Sequence, residues 1–161
     1  MRQATLRLVA APLIGAGLLA VAQPAEAIIA RHDRDDQQYL DLGQTDPMLP
    51  VGRVQFQQPS ALSLAGSGTL IAPDLILTAA HVVDFGSPSQ YRFQTAGGTL
   101  VPAADVIINP AWTGDIAQGG DVALIRLESP ILDVAPARIT SGVEPFGQEV
   151  MLGGYGGAGD G

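Results

Sequence analysis

From residue 51 onward the chain is interrupted too often to be helical. Short β-branched or leucine-rich runs occupy 51–56, 68–72, 75–79, 91–95, 104–108, 122–127 and 149–155, and Pro, Gly, Asp or Ser separates them. No stretch after residue 27 sustains a helical period over three turns. Short strands at this spacing predict an all-β fold, either a barrel or a sandwich. Ala72-Pro73-Asp74 has the chemistry of a tight turn, which predicts that 68–72 and 75–79 pair as a hairpin. The polar, acidic and turn-rich residues 28–50 read as an arm with little regular structure. The glycine-rich tail GGYGGAGDG reads as a loop.

The first 27 residues have another purpose. Arg2 and Arg7 make a charged start, and residues 8–22 form an apolar run without a charge. Gln23 and Pro24 break the run, and Ala25-Glu26-Ala27 supplies a small-x-small cleavage pattern. This layout predicts a secretory signal peptide cut after Ala27, and the apolar run is short for a membrane span. An uncleaved membrane anchor is the alternative. No other segment is long and apolar enough to cross a bilayer as a helix.

Cleavage leaves 134 residues, in which six arginines face fifteen acids for a net charge of −9. Lysine is absent throughout. Nucleic acid and anionic membranes both require a basic surface, so neither is expected as a partner. The chain also lacks cysteine, which excludes disulfides and thiolate metal sites. A core of this size can be stable without them. Export without lysine or cysteine points to a bacterial source and a secreted or periplasmic location.

The chemistry centres on His81, the second and last histidine, which closes the run GSGTLIAPDLILTAAHVV. A buried strand needs no imidazole, whereas proton transfer near neutral pH does. A histidine acting as general base also needs a group to fix its tautomer, and a shielded carboxylate does this. Asp121 follows Gly119-Gly120 and directly precedes the alternating run VALIRL, so it stands at the mouth of a strand. Taken singly, His81 also fits a packed or surface position, and Asp121 a turn acid. His32 lies among charges of both signs in RHDRDD and reads as part of a solvated arm. A metal site built on His32, Asp33 and Asp36 is the alternative there, although the spacing matches no common ligand set. No cofactor is expected.

Three segments in order resemble one family. GTLIAPDLILTAAH resembles the region around the catalytic histidine of trypsin-like serine peptidases of the chymotrypsin fold, and GDVALIRLESPI resembles their catalytic-aspartate strand. VMLGGYG is similar to the strand and glycine turn after the crossover between their two barrels. The resemblance covers roughly residues 51–157. It implies that 51–161 hold the first antiparallel β-barrel of a double-barrel endopeptidase and the start of its crossover. It further implies a protein or peptide substrate, His81 as general base and Asp121 as its orienting acid. Asp115 is the second candidate for that acid, but it lacks the following strand.

The sequence departs from the family pattern at two places. Val82 stands where many animal relatives have a cysteine, which loses a local disulfide and leaves the chemistry intact. The family's nucleophilic serine lies in a Gly-Asp-Ser-Gly-Gly motif of the second barrel, and these 161 residues contain no such motif. None of Ser60, Ser63, Ser67, Ser87, Ser89, Ser129 and Ser141 has that context, and Ser67 reads as structural. The expectation is therefore a secreted serine endopeptidase represented by its amino-terminal half, with the second barrel missing and this chain alone inactive. A non-catalytic secreted β-barrel that acts by binding is the alternative. Signal cleavage would also expose Ile28-Ile29, similar to the Ile-Ile or Ile-Val terminus released on activation of many family members.

Overall fold

The computed structural model describes residues 28–30, 35–140, 142, 147, 150–155 and 158–160. In chain order its regular elements are β1 (Ile28–Ala30), α1 (Asp36–Gly43), β2 (Val51–Gln57), β3 (Leu62–Ala72), β4 (Leu75–Thr78), β5 (Tyr91–Gln94), β6 (Leu100–Ile108), β7 (Ala123–Leu127) and β8 (Ala158–Asp160). Strands β2 to β7 close into an antiparallel barrel in the order β2-β3-β4-β7-β6-β5, and β5 returns to β2. The short strands β1 and β8 pair in parallel as a separate two-stranded sheet. The all-β barrel read from the sequence is the fold observed.

Alternation builds the core. Val54, Leu70, Ile76, Tyr91, Phe93, Val101, Ala123 and Ile125 are buried, while their strand neighbours are less so. Side chains of a strand point to opposite faces in turn, so one apolar residue in two suffices to fill the barrel. The register brings these residues together: Val54 lies opposite Phe93, Leu70 opposite Ile76, and Ile76 opposite Ile125. In VALIRL the buried set is Ala123, Ile125 and Leu127, and Val122 faces out.

The hairpin of residues 68–72 and 75–79 forms as expected. Gly68 pairs with Thr78 and Leu70 with Ile76 across the Pro73-Asp74 turn. Besides the glycine-rich tail, read as a loop but carrying β8 at Ala158–Asp160, two readings are corrected. The arm carries α1, two turns long, because the Asp35 carboxylate accepts the Gln37 N–H at 2.9 Å and caps the helix. Gln37 then reaches Asp41 one turn on, through a side-chain bond of 2.8 Å. Polar composition therefore hid a short, locally capped helix. The second correction concerns 149–155. Among its described residues, 150–155 form no strand. Each barrel strand already has two partners, so the run finds no free edge, and Val150 and Leu152 lie exposed.

Candidate active site

His81 sits just beyond the end of β4. Thr78 ends the strand, and its hydroxyl donates to the Ser67 carbonyl at 2.8 Å, tying that end to β3. Ala79 is extended, and Ala80–Val82 then make one 3-10 turn. Ala80 and Val82 are buried and anchor the turn from both sides of the histidine. Gly66 of β3 faces Val82, and a Cβ there would lie 2.7 Å from a Val82 methyl. The small residues of GSGTLIAPDLILTAAH thus let the turn settle on the barrel while His81 points outward.

Asp121 arrives from the neighbouring strand. Thr78 of β4 pairs with Ala123 of β7, so the residues just outside these two strand ends are adjacent in space. This register joins side chains 40 positions apart. The Asp121 Oδ2 atom lies 2.7 Å from His81 Nδ1, and its Oδ1 accepts the His81 backbone N–H at 2.9 Å. Both carboxylate oxygens therefore hold the same residue. The Asp121 side chain is 20% exposed and that of His81 is 49% exposed, so the acid is the more shielded partner.

The geometry fixes the tautomer by elimination. An ionised carboxylate only accepts hydrogen bonds, so Nδ1 carries a proton, and in the neutral imidazole the lone pair is then on Nε2. Among the described residues the imidazole makes no other hydrogen bond. The His81 backbone N–H is the main cause holding the Asp121 carboxyl below its ordinary value of 3.8; the imidazole's hydrogen bond and charge add to this, and partial desolvation opposes it.

A carboxyl group with a lowered pKa stabilises the fold above its ordinary value, and that contribution disappears as pH falls through the lowered one. The stability gap between the natural protein and Asp121→Asn is therefore expected to shrink as pH falls from about 5 through the ordinary carboxyl value of 3.8 and below it. Urea unfolding midpoints of both proteins measure it. A gap that stays constant over that range would contradict the lowered carboxyl.

The other sequence candidates lie elsewhere. Asp115 caps the 3-10 turn Ile116–Gln118, accepting the Ala117 N–H at 3.0 Å and the Gln118 side-chain amide at 3.1 Å. It does not bond His81. Ile28 begins β1 and pairs with Ala158. His32 and Asp33 fall outside the described residues, as does the Asp36 side chain. Among the described residues no three His, Cys, Asp or Glu side chains are grouped to hold a metal. Ser67 has a structural contact that the sequence does not reveal. Its Oγ accepts the Tyr155 N–H at 2.6 Å and donates to the Tyr155 carbonyl at 3.3 Å, while Arg53 lies over the Tyr155 ring. This clasp pins the segment after the barrel to β2 and β3, across 88 residues of sequence.

The described residues thus form a closed six-stranded antiparallel barrel with a histidine–aspartate couple at adjacent strand ends. The family model described as Trypsin matches residues 50–160, and the chain belongs to the trypsin family. Ovochymase of Halocynthia roretzi is 32% identical over 72 residues, covering 40% of this chain and 5% of the relative. Proproteinase E of Bos taurus is 30% identical over 84 residues, covering 46% of this chain and 33% of the relative. The chain thus matches about a third or less of the length of these relatives. Among the described residues no helix is long and apolar enough to cross a membrane.

Proposed function

We propose that this chain is the proton-handling barrel of a secreted serine-type endopeptidase. In this reading His81 Nε2 is the general base that takes the proton of a serine hydroxyl and returns it to the leaving amine. Asp121 orients the imidazole and stabilises its protonated form without itself becoming protonated. The observation that carries the reading is the double hold of Asp121 on His81, at 2.7 Å on Nδ1 and 2.9 Å on the backbone N–H. A turn acid or a surface histidine needs neither bond. The trypsin-family match over 50–160 supports the same chemistry, and with it a protein or peptide substrate.

The nucleophile belongs to sequence outside residues 1–161, because the Gly-Asp-Ser-Gly-Gly motif is absent from them. The oxyanion donors and the specificity pocket belong there too. The coding DNA beyond Gly161 tests this. An open frame reaching that motif is the expected result. A stop codon at that point favours the binding barrel instead.

Residues 1–27 serve as the export signal in this reading, and Ile28 becomes the first residue of the mature protein. Its ammonium group is the counterpart of the terminus that other family members expose by an activating cut, so export takes the place of zymogen cleavage. Mass spectrometry of the secreted protein should find a chain starting at Ile28. A start well downstream of it would end this part of the proposal.

A further inference from the structure

We propose that Asn109 is a positioning residue for the His81–Asp121 couple: its side-chain amide grips the Gly120 carbonyl and fixes the turn that presents Asp121. The proposal rests on the reading of that couple as the proton-handling pair. Asn109 directly follows β6, next to β7 in the barrel. Its Nδ2 donates to the Gly120 carbonyl at 3.1 Å, and its backbone N–H donates to the Val122 carbonyl at 3.0 Å. One residue therefore holds the carbonyls on both sides of Asp121. The Val122 N–H also donates to the Gly120 carbonyl, at 2.7 Å, so Asp121 is the central residue of a three-residue turn. Such a turn aims its middle side chain, and here that side chain is the carboxylate.

The other end of the amide is fixed as well. Asn109 Oδ1 accepts the Ala111 N–H at 3.1 Å, and the Asn109 carbonyl accepts the Trp112 N–H at 2.9 Å. The 109–112 turn packs directly on Gly120, whose φ is +75° and whose added Cβ would lie 2.8 Å from the Ala111 carbonyl carbon and oxygen. Glycine is required there by conformation and by space. Trp112 donates from Nε1 to Asp84 Oδ2 at 2.8 Å, which ties the same turn to the loop that follows His81. The 109–112 turn thus touches the chain on both sides of the couple.

The residue type matters. The position needs a short side chain that accepts at one end and donates at the other. Aspartate accepts only, serine has one oxygen for both tasks, and glutamine is a methylene too long. A single loop hydrogen bond elsewhere would be a minor stabilising feature. Here it acts one peptide unit from the Asp121 Cα, where a displacement of about 1 Å is expected to cost about 100-fold in a proton-transfer reaction.

The test uses the full chain and the low-field proton resonance of the His81 Nδ1–H···Oδ2 Asp121 hydrogen bond, read by NMR well below the melting range. Asn109→Ala removes both ends of the amide, whereas Asn109→Asp keeps shape and acceptor and deletes the donor. Both variants are expected to lose most of the resonance while keeping the dispersed amide spectrum of a folded barrel. Undiminished resonance in either variant would overturn the proposal. A variant without a dispersed spectrum would overturn it too, since Asn109 would then hold the fold and not the turn. Asp121→Asn separates this from failure of the underlying reading. If the natural protein shows no such resonance, or Asp121→Asn retains it, the couple itself is misread.

Discussion

The purified segment 28–161 is expected to show no acylation burst and no labelling by a serine-directed phosphonate. Members of a catalytic triad act as a unit, and loss of the nucleophile alone removes about 10⁶-fold of the rate. His81 and Asp121 can accept and hold a proton, but without a suitably placed hydroxyl they have no nucleophile to activate. Among the described residues no serine hydrogen-bonds the imidazole, whose partner is Asp121. Both roles of the Ser67 hydroxyl are taken by the Tyr155 backbone. Ser87 forms a capping box with Gln90, and Ser63 donates to the Phe56 carbonyl. Mass spectrometry after incubation with the probe measures the outcome. Stoichiometric labelling would refute the proposed division of the machinery, and the modified peptide would identify the serine.

The parts legible in the sequence are those governed by local chemistry. The Pro73-Asp74 turn marked a hairpin, and the alternation of residues 122–127 marked a strand with one dry face. The less legible parts depended on neighbours. β3 begins at Leu62, earlier than the run at 68–72, because β2 pairs with it through a register shift at Val54/Gln55. Ser63, Ala65 and Gly66 carry no strand signal of their own. β6 begins at Leu100 and accommodates Pro102, with a register shift between Ala103 and Asp105 close by. Proline is tolerated where the ladder is already irregular. At the site, the histidine and aspartate were readable from their flanking small residues and strand. Asn109 was not, because a lone Asn before Pro110 looks like any turn. Its role appears only when the barrel lays the β6 exit against the β7 entrance.

That dependence makes the core the support of the site, and Ile125→Ala should expose it. Ile125 is fully buried on β7, four residues beyond Asp121, and pairs with Ile76 of β4 and Val106 of β6. Truncation leaves a cavity at the junction of the strands that carry His81, Asp121 and Asn109. The expected loss is about 2–5 kcal/mol. Whole domains have only about 5–15 kcal/mol to lose, so the unfolding midpoint should fall steeply. Leu132→Ala is the matched control. Leu132 is also aliphatic but 82% exposed, and its change should stay within about 0.5 kcal/mol. Urea unfolding of the three proteins gives the comparison, and the His81–Asp121 proton resonance can be followed along the same titration. Because the couple is assembled by strand ends and not by its own bonds alone, the resonance should vanish together with the barrel signal, at lower urea in Ile125→Ala. Were the resonance to outlast the barrel, the two side chains would be held together by local contacts, and the strand register would not be what joins them.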